Sequence, residues 1–218
     1  MKKTIIAVLM ILCGSAFAFA QNRADLNYID KNIPVAEFDA IECNLPCDVE
    51  YTMGNPNFQI HVPAKVEEHL IVTVKDRKLI ITLDKTKLYK FGSIKVKVSS
   101  PTLKSVELNG AVEFDAPKGI GTEEFVAKLN GASELDIDGL TATDVKITAN
   151  GTADIDIEDL NCDDIAVTVN GAGECELSGV CVAADLTVNG VGTIKAYELK
   201  AKTVNSAVNG VGSIKRIG

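Results

Sequence analysis

The dipeptide Asn-Gly occurs six times in the second half of the chain, as Asn109-Gly110, Asn130-Gly131, Asn150-Gly151, Asn170-Gly171, Asn189-Gly190 and Asn209-Gly210. Successive copies lie 21, 20, 20, 19 and 20 residues apart. So constant a period implies one structural unit repeated, each copy burying its apolar face against its neighbours. Apolar columns recur around each asparagine. One residue before it stand Leu108, Leu129, Ala149, Val169, Val188 and Val208; five after it stand Phe114, Leu135, Ile155, Cys175, Ile194 and Ile214. Polar columns lie between them, such as Glu113, Glu134, Asp154, Glu174, Thr193 and Ser213 four after the asparagine. This is the period of two expected of strands with one buried face.

Asn and Gly tolerate positive φ, so each pair marks a sharp reversal or corner. A second turn follows at Asp138-Gly139, Glu158-Asp159 and Ser178-Gly179. Two all-β architectures fit. Either each Asn-Gly closes an antiparallel hairpin, or each repeat is one coil of a parallel β-helix, a solenoid whose equal positions stack ~4.8 Å apart. The hairpin has the stronger local signal. The solenoid explains the near-constant coil length and the small residues three after each asparagine (Val112, Ser133, Ala153, Gly173, Gly192 and Gly212), and it is the predicted fold. It carries one electrostatic cost: Asp115, Asp136, Asp156 and Glu176 would stack in register before Lys195 and Lys215 reverse the sign.

Residues 1–20 read as a cleaved export signal. Lys2 and Lys3 precede an apolar run from Ile5 to Leu12, and Ala18-Phe19-Ala20 supplies the small-x-small cleavage pattern. The run is too short to span ~30 Å of hydrocarbon, and Leu12 before Cys13 is too large for a lipoprotein signal. No second long apolar segment follows, so the mature chain is predicted to lack a transmembrane segment. It would be exported to the periplasm, the outer-membrane surface or the extracellular space. The full chain has 22 Lys+Arg against 30 Asp+Glu, a formal charge of −8. That balance argues against nucleic acid as the main partner, which needs a basic face.

Residues 21–34 read as a polar lead-in. Residues 35–218 read as a single domain, strand-rich over 35–100 and Asn-Gly-repetitive over 101–218. Alternating segments at 48–52, 58–62, 70–74, 79–83 and 94–98 predict strands. Residues 53–57 read as a turn, 74–79 as a tight connection and 64–69 as a helical turn.

Three segments carry a resemblance to a known family. They are Phe38-Asp-Ala-Ile-Glu leading to Cys47-Asp-Val-Glu-Tyr-Thr-Met-Gly, Val72-Thr-Val-Lys-Asp-Arg-Lys-Leu-Ile-Ile, and Ile94-Lys-Val-Lys-Val-Ser-Ser-Pro-Thr-Leu-Lys-Ser-Val-Glu-Leu-Asn-Gly. Over about residues 35–218 the chain resembles the auto-transporter adhesin, head GIN domain family of exported Bacteroidetes proteins. The resemblance implies a β-helix whose tight turns carry small glycine motifs, filled here by Asn-Gly-Ala-Gly (170–173) and Asn-Gly-Val-Gly (189–192 and 209–212). It implies a role in adhesion and brings no catalytic residues.

Losing Cys13 with the signal leaves five cysteines. Cys175 falls in an apolar column and reads as a small core residue. Cys162 and Cys181 each lie eight residues before the next asparagine, so the solenoid stacks them within disulfide reach; Cys43 and Cys47 form a second candidate pair. No metal site is predicted, since His61 and His69 are the only histidines near Cys43 and Cys47. The acidic runs at 136–138, 154–158 and 163–164 match no calcium-loop spacing and read as the solvated face of strands. Nucleophile and phosphate-loop motifs are absent, and no cofactor is expected.

The sequence therefore predicts an exported, non-enzymatic β-solenoid, an adhesin-like binding or structural module whose ligand is an unidentified protein or glycan. A polysaccharide-active β-helical enzyme and a periplasmic envelope scaffold are the alternatives. The final coil would expose a sheet edge, which points to a homo-oligomer or a capping partner.

Overall fold

A computed structural model describes residues 27–84 and 92–216. The export signal read at 1–20 lies outside the described residues. In chain order the elements are β1 (Tyr28–Asn32), β2 (Ala40–Cys43), β3 (Cys47–Met53), β4 (Asn57–Pro63), α1 (Ala64–Glu67), β5 (Leu70–Lys75), β6 (Lys78–Leu83) and β7 (Lys95–Ser100). They continue as β8 (Ser105–Ala116), β9 (Ile120–Gly121), β10 (Glu124–Ile137), β11 (Leu140–Thr141), β12 (Asp144–Gly190), β13 (Thr193–Gly210) and β14 (Ser213–Arg216). The length of β12 reflects a ladder that runs on through the corners of successive coils.

The Asn-Gly segments form a parallel solenoid of about 6 turns. Asn130-Gly131 lies opposite Asn109-Gly110 on one side and Asn150-Gly151 on the other, and Asn189-Gly190 lies opposite Asn209-Gly210. The two segments flanking each pair therefore bond to the coils above and below rather than to one another, which removes the hairpin alternative. Glycine is required at the corner: Gly151 has φ +132°, and a Cβ there would sit 2.3 Å from the carbonyl oxygen of Gly131. The second turn also uses left-handed backbone, at Gly139, Asp159 and Gly179.

Inside the coils the apolar columns close into one core. Leu129, Ile147, Ile155, Val167, Leu177 and Val188 are all at most 1% exposed. Burying each such side chain is worth about 1.5–3 kcal/mol. The repeats hold the core with aliphatic residues of similar size, which lets one coil sit directly on the next.

The N-terminal part joins this stack and then changes its pairing. β2 runs parallel to β8 and β6, and β3 runs parallel to β8 and β7. Beyond them the order turns antiparallel, with β4 on β7, β1 on β4 and β5 on β6. The β5–β6 connection is a tight turn with Asp76 and Arg77 at φ 49° and 61°. Part of the segment read as lead-in is strand: Ile29 packs against the core opposite Val62, and the polar residues around it suit an edge. Aromatic bulk gathers here, with Phe38, Tyr51 and Phe58 fully buried and Tyr51 stacked on Phe114 at a centroid distance of 6.2 Å.

Candidate functional site

Alternation along the strands that follow each Asn-Gly corner sends every second side chain outward. Phe114, Leu135, Ile155 and Cys175 point inward, so their neighbours form two rows on the outer surface. In one row Asp48, Glu113, Glu134 and Asp154 stand opposite each other in register, and Glu174 follows one coil on. In the other, Glu50, Asp115, Asp136 and Asp156 align, followed by Glu176. Successive rungs are ~4.8 Å apart and the two rows ~7 Å apart. The result is a flat lattice of carboxylates across five rungs of the stack, on β3, β8, β10 and two turns of β12.

Lysines bound it at both ends. On the N-terminal side β7 places Lys95 beside Asp48 and Lys97 beside Glu50; Lys97 Nζ lies 2.9 Å from Glu50 Oε2, and Lys95 Nζ lies 4.0 Å from Asp48 Oδ2. On the other side Lys195 stands opposite Glu176, 3.7 Å from its Oε2, and also pairs with Glu174. The first row ends there in neutral hydroxyls, with Thr193 Oγ1 3.2 Å from Ser213 Oγ.

Partial burial and crowding of like charges shift the middle of this lattice. Burial first, and then Glu113 and Asp136, push the Asp115 carboxyl up to about 6. Burial, then Asp136 and Glu176, do the same to Asp156, also to about 6. Glu134 is raised as well, by burial and then by Glu113 and Asp154. A shallow cleft of about 500 Å³ opens over the first row, floored by the small side chains of Ala132, Ser133, Ala153 and Gly173 between Glu113, Glu134 and Glu174. Among the described residues no group of three or more His, Cys, Asp or Glu is arranged to hold a metal ion. Chemically the face can attract and align cationic groups and repel polyanions.

The six predicted turn asparagines come together as a ladder. Each side-chain amide donates Nδ2–H to the Oδ1 of the asparagine one coil before it, at 2.8 Å for Asn130 to Asn109, 3.0 Å for Asn150 to Asn130 and 2.9 Å for Asn170 to Asn150. The series continues from Asn189 to Asn170 and from Asn209 to Asn189. It begins one coil earlier than the dipeptide shows. Asn109 donates to Asn44 Oδ1 at 2.8 Å, and Asn44 in turn donates to Glu42 Oε1. Asn44 is followed by Leu45 and so lacks the Asn-Gly signature; the registers of Cys43 with Leu108 and Cys47 with Val112 put it in the same column.

All five described cysteines are buried, and none is disulfide-bonded in this structure. Cys43 Sγ and Cys47 Sγ are 3.1 Å apart. The hydrogen bond from the Cys47 thiol lowers Cys43, and the same contact, with burial, raises Cys47. Cys162 and Cys181 face each other on adjacent coils through a thiol–thiol interaction, and burial pushes Cys162 up to about 12. Cys175 is fully buried, as its column predicts, and burial raises its thiol strongly.

A family model described as "Putative auto-transporter adhesin, head GIN domain" matches residues 37–158 and 126–216. The chain belongs to this family. No curated protein sequence matches it. Solved structures share the GIN-domain fold. A putative adhesin from Bacteroides fragilis is 23% identical with a TM-score of 0.73, covering 88% of this chain and 97% of that one. A putative adhesin from Parabacteroides distasonis is 20% identical with a TM-score of 0.76, covering 88% and 98%. A putative lipid binding protein from the same species is 18% identical with a TM-score of 0.74, covering 88% and 97%. At these identities the likeness establishes the fold. No helix among the described residues is long and apolar enough to cross a membrane.

Proposed function

We propose that this GIN-domain chain is an exported, non-enzymatic display module of the cell envelope that binds a protein or glycan ligand in an adhesin-like role. The observation that carries the reading is the in-register stacking of parallel coils, which makes one flat polar face extending over five rungs from β3 to β12. Such a face is rigid because every rung is fixed by two neighbouring ladders, and rigidity lowers the entropic cost of docking an extended partner. The apolar run at 5–12 and the small-x-small pattern at 18–20 support export. Membership of an adhesin head family supports binding over catalysis. Self-association belongs to the same reading: Val208, Val211 and Tyr197, 42%, 83% and 48% exposed, place apolar surface on the last described coils.

Protease treatment of intact cells tests the location, with cleavage of the chain expected and full protection counting against a surface role. A glycan array read for both capture and released reducing ends separates binding from hydrolysis. Capture without release is the expected result, and release of reducing ends would replace the reading with the enzymatic one. Light scattering at increasing concentration is expected to show a species larger than the monomer.

A further inference from the structure

Seven asparagines line the corner column, and six are followed by glycine; the exception is Asn44, followed by Leu45 and Pro46. The glycines at the later corners take positive φ, whereas Leu45 does not, so the first corner turns by a different backbone path. Leu45 is tucked inward at 1% exposure, and nothing like it occupies the later corners.

The columns one before and three after each asparagine converge on the inside of the corner. In later coils the second of these shrinks to glycine because there is no room: a Cβ on Gly192 would lie 2.8 Å from Val169 Cγ1, and one on Gly212 would lie 2.6 Å from Val188 Cγ1. In the first coil the same two columns hold Cys43 and Cys47, opposite Leu108 and Val112. Their sulfur atoms meet at 3.1 Å, closer than two unbonded sulfurs rest, and both residues are at most 5% exposed. No other cysteine flanks an asparagine corner on both sides.

We propose that Cys43 and Cys47 close a disulfide across the first corner, a covalent staple at the one corner that lacks glycine. Two S–H bonds break, one S–S bond forms, two protons leave, and two electrons pass to a thiol-oxidising disulfide donor. The bridge would hold Asn44 where its Oδ1 receives Asn109 and its backbone N–H meets the Ile81 carbonyl at 2.9 Å. Formation of the bridge in the cell rests on the proposed export, since only an oxidising compartment maintains it; the geometry of the site does not.

Tryptic mapping tests the bridge, because residues 32–65 form one peptide whose only cysteines are these two. The purified full chain is unfolded and refolded in mixed oxidised and reduced glutathione, blocked with N-ethylmaleimide in denaturant, then reduced and alkylated with iodoacetamide. Both cysteines in this peptide are expected to carry the second label, and the single peptide 147–195, which holds Cys162, Cys175 and Cys181 together, is read separately. Both carrying the first label, or a link from either to another cysteine, overturns the inference wherever the protein resides. The same mapping on protein acid-quenched in cells is expected to show the bridge. A bridge in the purified chain with free thiols in cells would support the site and overturn the export reading. Reduction is expected to lower the thermal midpoint by about 5 °C. The Cys43→Ala/Cys47→Ala chain should lose that response to reductant, and an equal response would overturn the proposal.

Discussion

The N-terminal part and the Asn-Gly repeats share a cross-section and hold it together by opposite means. In the repeats every strand meets a near-copy of itself, so equal residues stack on equal residues. That favours asparagine, whose amide both donates and accepts, and penalises carboxylates, which only accept and repel. In the N-terminal part neighbouring strands differ, and opposite charges are matched across them: Lys97 with Glu50, Lys78 with Glu42, and Arg77 with Asp39. Repetition secures the register at an electrostatic cost; sequence diversity settles the charges but needs buried aromatics and a change to antiparallel pairing.

The sharpest way to break the comparison is at the corners. Gly151→Val places a side chain 2.3 Å from the Gly131 carbonyl on left-handed backbone, and is expected to lose about 3 kcal/mol or more of unfolding free energy. Gly110→Ala, where the repeats meet the N-terminal part, finds nothing within 4 Å and carries only the φ strain, about 1–2 kcal/mol. Urea unfolding of the two variants should rank them in that order.

Asn150→Ala removes two rungs of the ladder at once, the bonds to Asn130 and from Asn170. About 1–2 kcal/mol of unfolding free energy should go with them. Asn150→Asp keeps the acceptor toward Asn170 but loses the donor toward Asn130, so it should fall between alanine and the native chain.

The stacked acids set the pH response. Asp115 and Asp156 titrate near 6 in the folded chain and in the usual carboxylate range when unfolded. The folded state therefore holds more protons between about pH 4 and 6, and stability contributed by these groups is lost as pH rises through that window. Thermal unfolding should give a higher midpoint at pH 5 than at pH 7.5. Asp156→Asn should raise the midpoint at pH 7.5 and flatten the profile; because both carboxylates keep contact with solvent, screening limits each to under about 1 kcal/mol. The smallest change is expected from Lys97→Ala, which breaks an exposed pair worth about 0.5 kcal/mol or less.

The stacking was legible because Asn-Gly is rare enough and regular enough to set a register by itself, and the apolar columns follow from it. Asn44 is not legible from the dipeptide because Leu45, not glycine, follows it; the spacing of Cys43 and Cys47 about it matches the corner columns and is the signal that reveals it. Strand alternation located β3, β4, β5, β6 and β7 but is blind to direction, so the antiparallel pairings were not readable. Tyr28–Asn32 escaped because an edge strand needs few inward apolar residues, here Ile29. The N-terminal lysine border of the acidic face, Lys95 and Lys97, depends on β7 lying beside β3, a contact between segments more than 40 residues apart.

The asparagine ladder also has a direction. Every amide gives its proton toward the start of the chain and offers its oxygen toward the end. Any coil with the same signature can therefore be added or removed without reversing a single donor. Size in such a molecule is a quantised variable, changing in steps of about 20 residues, so duplication or loss of one gene segment would alter the reach of the face while leaving its chemistry in place.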